Sequence, residues 1–360
     1  MSIVADSYRF VVGVDTHARI HQFAIIDTST GGVMGDHEFA TSPAGLERAA
    51  EWIGRHTDGD LDGVLISAEG TGSFGAVLAR LLLARGYRVT DAPTPKRDRG
   101  ADKNDRIDAI KAARNVLAVD VDHLVDVKAG ETTDMLGVLL AARDRITTES
   151  TRTFNALVAL LRTHDLGFDA RRKPSIGQIR QIARWRPVMP ASTTAEVAKA
   201  ETVTLAKRFL QLHRDAKTNS TQVKRIVTEH MPVLLEQPGI GPINAAVLLA
   251  AWSHPGRIRD EAAFARLAGV SPIQVASGNR SEHRLNRGGD RQLNRALHSI
   301  VLTRMRFDPD TRAYVQRRQS EQLSNRRIRR VLKRYVARQA YRLISAQQAP
   351  TSKRGALQSA

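Results

Sequence analysis

The chain has 360 residues, 42% of them hydrophobic, which is enough for two ordinary domains with a packed core each. Its 55 Lys and Arg against 37 Asp and Glu give a formal net charge of +18, pointing to a polyanionic partner, nucleic acid first, because clustered cations release counterions from a phosphate backbone. The absence of cysteine excludes a disulfide framework and thiolate zinc sites, and no apolar run reaches the roughly 18 residues that span a bilayer, so the expectation is a soluble intracellular protein with no membrane partner.

In chain order, FVVGVD (10–15), HQFAIID (21–27) and VMGDHEFA (33–40) read as three strands joined by short turns, an antiparallel meander with STGG at its second turn. Ser42 and Pro43 open a helix of LERAAEWIGR type, GVLISAEG (63–70) is a fourth strand, FGAVLARLLLARG a helix ended by Gly86, and YRVTDA a fifth strand. A further helix begins near Asn104. This order predicts an α/β domain, a mixed sheet with helices on its faces, over 9–125. From 126 to 235 the pattern is helical: Leu136, Leu139, Leu140, Ile146, Phe154, Leu157, Leu160 and Leu161 recur at three- and four-residue spacings, and a second long stretch runs from Thr193 to Leu235. Two long helices here read as a coiled-coil spacer or as ordinary bundle helices. A mostly α C-terminal domain is expected over 236–345, ending in the basic helix SNRRIRRVLKRYVARQAYRLI, with a disordered tail over 346–360.

Charge is divided unevenly. Residues 1–120 carry 14 basic and 17 acidic side chains, whereas residues 256–345 carry 21 basic and 7 acidic. The C-terminal part is therefore the expected clamp on nucleic acid.

Asp15 closes the first strand in GVDTH and Glu69 closes the fourth in SAEGTG. If those strands are neighbours, both carboxylates emerge at one edge of the sheet. Asp105 and Asp108 in KNDRIDA, three residues apart at a helix start, share one helical face. Four converging carboxylates repel unless cations bind, and such hard oxygen donors suit Mg²⁺ or Mn²⁺, which in pairs support phosphodiester cleavage. Each residue alone reads more often as a cap, a solvated group or a helix-dipole partner. The order of elements with these acids resembles a ribonuclease H-like core of the RuvC (Holliday-junction resolvase) type. The actin-like ATPases and sugar kinases share the element order, but they need phosphate loops in a second copy of the fold, and the second half here is helical and basic.

PGIGP at 238–242 resembles a helix-hairpin-helix element, in which Gly239 and Gly241 let backbone N–H groups approach a phosphate; a plain Gly-Pro break between helices is the alternative. Downstream, Ser277 and Gly278 precede Arg280, Arg284, Arg287, Arg291 and Arg295. By composition a Ser-Gly pair is a turn. As a nucleophile, Ser277 needs a base or metal for activation and cations to absorb charge on the phosphate; arginine forks supply the cations, and His283 lies nearby.

Asp15 in GVDTH, Glu69 in AEGTG, Asp105 and Asp108 in KNDRIDA, then LEQPGIGPINAAVLLA and ASGNRSEHRLNRGGDRQLNRAL occur in the order seen in the IS110-family transposases. The resemblance spans residues 9–345. It implies a DEDD-type recombinase of the bacterial nucleoid, moving an insertion sequence. Its acidic tetrad Asp15, Glu69, Asp105 and Asp108 holds Mg²⁺ or Mn²⁺, and Ser277 joins covalently to a DNA phosphate. It further implies a homo-oligomer whose composite active site draws on two subunits, and a noncoding bridge RNA that pairs with donor and target DNA. Asp102 is a competing member of the tetrad. One departure stands out: a Gly-Lys pair common in the family before the last basic helix is replaced by SEQLSNRRIRR. A metal-dependent, structure-specific nuclease without serine chemistry, and a binding module without activity, are the other functions compatible with these residues.

Overall fold

The structure is a computed structural model, and it describes residues 2–93, 105–188, 190–277, 280–285 and 288–348. The chain forms two compact units, one of Met1–Gly130 with Ser253–Ala263 and one of Glu131–Trp252 with Phe264–Ala360.

The first unit begins with a short helix α1 (Val4–Ser7), followed by β1 (Phe10–Thr16), β2 (Ile20–Asp27), β3 (Val33–Ala40), α2 (Pro43–His56), β4 (Val64–Ala68), α3 (Ala76–Ala84), β5 (Arg88–Asp91) and α4 (Asp105–Leu117). The sheet runs β3-β2-β1-β4-β5. Its first three strands are the expected antiparallel meander, while β4 and β5 pair parallel to β1 and to each other. The central strands β1 and β4 are buried along their whole length, as near-continuous apolar runs covered on both faces must be. Alternation along β1 divides its side chains between two cores. Val12 and Val14 join Phe23, Ile25, Leu46, Ile53, Leu78 and Leu82, whereas Val11 joins Ile26, Leu65, Ala113 and Val116. Each such side chain taken from water contributes about 1.5–3 kcal/mol, so α4 is fixed to its face of the sheet by burial.

Helix α2 starts where its sequence directs: Pro43 sits in the first turn and the Ser42 hydroxyl accepts the Gly45 N–H.

Two long helices, α5 (Glu131–Thr163) and α7 (Thr194–His230), dominate the second unit and pack along one another. Between them in sequence, α6 (Ile176–Ile182) completes a small core with Ile179 and Ile182 against Leu157, Leu161 and Ala206. The second long helix stops at His230 rather than continuing to Leu235, because Pro232 lacks an N–H and disfavours helical backbone at Met231; a 3₁₀ turn over Pro232–Leu234 follows. Then come α8 (Pro242–Trp252), α9 (Glu261–Leu267), a hairpin of β6 (Pro272–Ser277) and β7 (Arg280–Leu285), α10 (Arg291–Phe307), α11 (Pro309–Ser320) and α12 (Asn325–Gln347). Helix α12 extends two residues into the stretch expected as tail from 346 and is capped by Gln348, and residues 349–360 lie outside the described residues. No helix among the described residues is long and apolar enough to cross a membrane.

Candidate active site

β1 and β4 pair in parallel with Val11 opposite Leu65, Gly13 opposite Ser67 and Val14 opposite Ala68. Continuing that register by one residue sets Asp15 beside Glu69, and the Glu69 N–H donates to the Val14 carbonyl at 3.0 Å. The Thr16 hydroxyl donates to the Glu69 carbonyl at 3.0 Å, fastening the two strand ends together. Both carboxylates thus leave neighbouring strands at one edge, as the strand-end positions predicted.

Helix α4 brings the other two acids. Its inner face is made of Ala109, Ala112, Ala113 and Val116, and opposite it β1 has Gly13. A Cβ on Gly13 would lie 2.0 Å from the Ala109 carbonyl oxygen and 2.6 Å from the Ala113 nitrogen, so only glycine lets helix and strand backbones approach this closely. The buried Ser67 hydroxyl adds a hydrogen bond to the Ala112 carbonyl, 2.8 Å. The consequence is that the first turn of α4, with Asp105 and Asp108, stands over the end of β1. Asp102 lies outside the described residues.

His17, which sequence reasoning missed, lies between Asp15 and Asp105. Its Nε2 is 3.1 Å from Asp15 Oδ2 and 3.4 Å from Asp105 Oδ1. The His17 backbone N–H donates to His21 Nδ1 at 3.2 Å, and burial holds the His21 pKa below its usual value, consistent with a neutral acceptor ring. Donor atoms of Asp15, His17 and Asp105 lie within 4.8 Å of one another. Two carboxylates and an imidazole at that separation fit a divalent cation, since hard oxygen and borderline nitrogen donors are what such ions take.

Burial disfavours the ionised form of Glu69, and its acidic neighbours add to that effect. Burial, then the charges of Asp15 and Asp108, raise its pKa above the ordinary carboxylate value, with His17 opposing. A carboxyl whose folded pKa exceeds its unfolded one destabilises the fold as pH rises from the unfolded to the folded value, and the penalty persists above it. Glu69→Gln is therefore expected to raise the melting temperature of the metal-free protein at neutral pH and to leave it unchanged at a pH where both forms of Glu69 are protonated. Mg²⁺ should stabilise the wild type more than the variant. Melting at neutral pH no higher than wild type would show that the carboxylates do not strain one another.

In the second unit, Ser277 ends β6 and pairs with Arg280 at the start of β7, so it terminates a strand rather than sitting in the middle of a turn; Arg284 pairs with Ile273. Gly278 and Arg287 lie outside the described residues. Arg291 opens α10, and the exposed Arg295 one turn on is 3.7 Å from Asp144 of α5. At PGIGP, Gly239 has φ +73° and an added Cβ would meet Arg304 and the Ile300 carbonyl at 3.1 Å, while Gly241 faces open space. Ile240 is buried between them.

A mixed sheet with carboxylates and a histidine at the ends of adjacent strands defines a protein whose site can hold a divalent metal. The comparisons with known proteins name the group. A family model described as "Transposase", of the IS110 DEDD type, matches residues 12–164, and the model "Transposase IS116/IS110/IS902 family" matches residues 231–316. Over those two stretches the chain is similar to the IS110 family of transposases. It is similar to the insertion element IS110 uncharacterized 43.6 kDa protein of Streptomyces coelicolor, 31% identical over 137 residues, 37% of this chain and 33% of that one. It is also similar to the insertion element IS900 uncharacterized 42 kDa protein of Mycobacterium paratuberculosis, 32% identical over 135 residues, 35% of this chain and 33% of the relative. The match spans a third of the length of each relative.

Proposed function

We propose that the chain is a DNA transposase that cleaves and rejoins strands through a covalent serine–DNA link. Its first unit acts as a ribonuclease H-like (RuvC-like) domain in which Asp15, Glu69, Asp105 and Asp108 hold Mg²⁺ or Mn²⁺, with His17 beside them. The observation that carries this reading is the closure of α4 onto β1 at Gly13, which sets Asp105 within reach of Asp15 and His17. A bound divalent ion would lower the energy of the attacking and leaving oxygens at phosphorus.

Ser277 is the nucleophile in this reading. Its Oγ forms a bond to phosphorus as the bond from phosphorus to a sugar oxygen breaks, and the serine proton ends on that departing oxygen. Attack by a sugar hydroxyl of another DNA end reverses the exchange. One phosphodiester is conserved throughout, so rejoining needs no external energy source. Arg280, Arg284, Arg287, Arg291 and Arg295 neutralise phosphates near the serine, and the backbone at Gly239 and Gly241 grips duplex DNA as a helix-hairpin-helix. The pairing of α5 with α7 serves as a coiled-coil spacer in a homo-oligomer. There the serine of one subunit meets the carboxylates of another, and a bridge RNA selects donor and target by base pairing. Resemblance to the family and the excess positive charge of the C-terminal part support these last assignments.

The experiment is strand cleavage of element-end DNA by the full chain with the flanking noncoding RNA and Mg²⁺. Cleavage is expected to vanish with EDTA and with Ser277→Ala. Full cleavage by Ser277→Ala would instead make the protein a metal-dependent nuclease that uses water.

A further inference from the structure

Packing holds α4 to the sheet only from Ala109 onward, since its buried residues are Ala109, Ala112, Ala113 and Val116. The turn before them, which carries Asp105 and Asp108, has none. First turns are where helices fray, because their N–H groups have no partner within the helix. The carboxylate-bearing turn therefore needs an anchor that the apolar contacts do not provide.

The sheet supplies one. Gly13 of β1 lies opposite Ala24 of β2, and Ala24 lies opposite Asp36 of β3. Residues in such a row share one face of the sheet, here the face that α4 covers. Gly13 and the fully buried Ala24 leave room for the helix, and Asp36 stands at the end of the row. Its Oδ2 is 2.8 Å from Nη2 of Arg106. Gly35 and His37, on the opposite face of β3, adjoin Trp52 of α2 instead. At 3.6 residues per turn, Arg106 leaves α4 about 100° to one side of Asp105 and Asp108 about 60° to the other. Their partners divide in the same way: Arg106 reaches β3, whereas the charge of Asp108 is felt by Glu69 at the end of β4.

We propose that Asp36 and Arg106 are a positioning pair for the carboxylate site: their ion pair anchors the first turn of α4 and so keeps Asp105 beside Asp15 and His17. This rests on the reading of that site as a divalent-metal centre, and neither residue is one of its ligands. Both side chains are partly exposed, 59% for Arg106 and 26% for Asp36. Such a pair contributes little to global stability, so its effect is local to the turn.

The test compares the full chain with Asp36→Asn, Arg106→Gln and the double variant. Hydrogen exchange reads the turn without metal, because the amides of Ala109, Ile110 and Lys111 bond to the carbonyls of Asp105, Arg106 and Ile107 four residues back. Each single variant is expected to speed their exchange about threefold, the scale of an exposed ion pair, with little change in melting temperature. Titration with Mn²⁺ in about 0.15 M salt, where surface charges are largely screened, should show binding about threefold weaker in either single variant. The double variant should bind no more weakly than the singles, because all three remove one contact, and Arg106→Lys should recover most of the loss. The sign at Arg106 separates position from charge, since deleting a cation near a cation site tightens binding by Coulomb attraction alone. Mn²⁺ binding by Arg106→Gln as tight as wild type or tighter, unchanged exchange of those amides, or losses that add in the double variant would overturn the proposal. Wild-type Mn²⁺ binding that Asp15→Asn leaves intact would instead sink the metal reading of the site, and the role of the pair with it.

Discussion

A Gly13→Val variant is expected to melt as though about 3 kcal/mol or more had been removed, and to lose divalent-cation binding with it. The reason is geometric. Even the first carbon of a side chain would lie 2.0 Å from the Ala109 carbonyl oxygen, 2.6 Å from the Ala113 nitrogen and 2.9 Å from the Ala113 Cβ. Two of those atoms are backbone of α4, which cannot yield by a rotamer change. Overpacking a well-filled interior costs roughly 1–3 kcal/mol where side chains can adjust, and here the relief is displacement of the whole helix from Val11, Ile26 and Leu65. Asp105 would move away from Asp15 as a result. Gly13→Ala should show the same effect in smaller measure. Gly72→Ala is the control, since an added Cβ there meets nothing within 4 Å. Thermal melts and Mn²⁺ titrations of the three variants check this; Gly13→Ala melting like Gly72→Ala would show that α4 does not need the close approach.

Asp15→Asn is expected to reduce divalent-dependent strand cleavage about a thousandfold, because an amide neither carries the charge nor bridges cations, and metal stabilisation of phosphoryl transfer amounts to several kcal/mol. The fold should survive. Asn keeps the shape of the side chain, and removing one charge from beside Glu69 eases a carboxyl whose pKa is raised by burial first and by the Asp15 charge second. DNA affinity should be unchanged, as the positive charge resides mainly in the C-terminal part. Asp62→Asn, at an exposed position after α2, serves as a control of equal charge change. Loss of folding in Asp15→Asn, or activity equal to Asp62→Asn, would contradict a metal-holding role.

Much of the first unit was legible because its signals are local. The apolar run in FVVGVD and the turn residues of STGG predict the meander, and β3 begins and ends at Val33 and Ala40 as expected. That Asp15 and Glu69 share an edge was conditional on the first and fourth strands being neighbours, which the sheet order β3-β2-β1-β4-β5 meets. Other features were not legible because they depend on packing at a distance. His17 stands two residues after Asp15 in sequence, but nothing in GVDTH indicates that its ring reaches Asp105 across the β1–α4 contact. Gly13 reads as one more small residue in an apolar strand until α4 is laid over it.

In the second unit, Ser277 with Gly278 reads as a turn by composition. The strands on either side carry so many polar residues in QVAS and RSEHRL that alternation was hidden, yet Gln274 to Ser277 pair with His283 to Arg280 in register. Helix α6 escaped notice inside RRKPSIGQIRQIARWRPVMP because it is short. Its start was nonetheless written in the sequence, for Ser175 and Gln178 form a reciprocal capping box. Pro232, which ends α7 early, was likewise in plain view.

The most direct measurement is a denaturing gel of the full chain incubated with Mg²⁺, element-end DNA and the flanking noncoding RNA, stained for protein that carries covalently attached DNA. A protein–DNA adduct is expected for the wild type and for Asp62→Asn, and none for Ser277→Ala or Asp15→Asn. Cleaved DNA without any adduct, at equal levels in wild type and Ser277→Ala, would contradict serine chemistry and leave a nuclease built on the carboxylates alone.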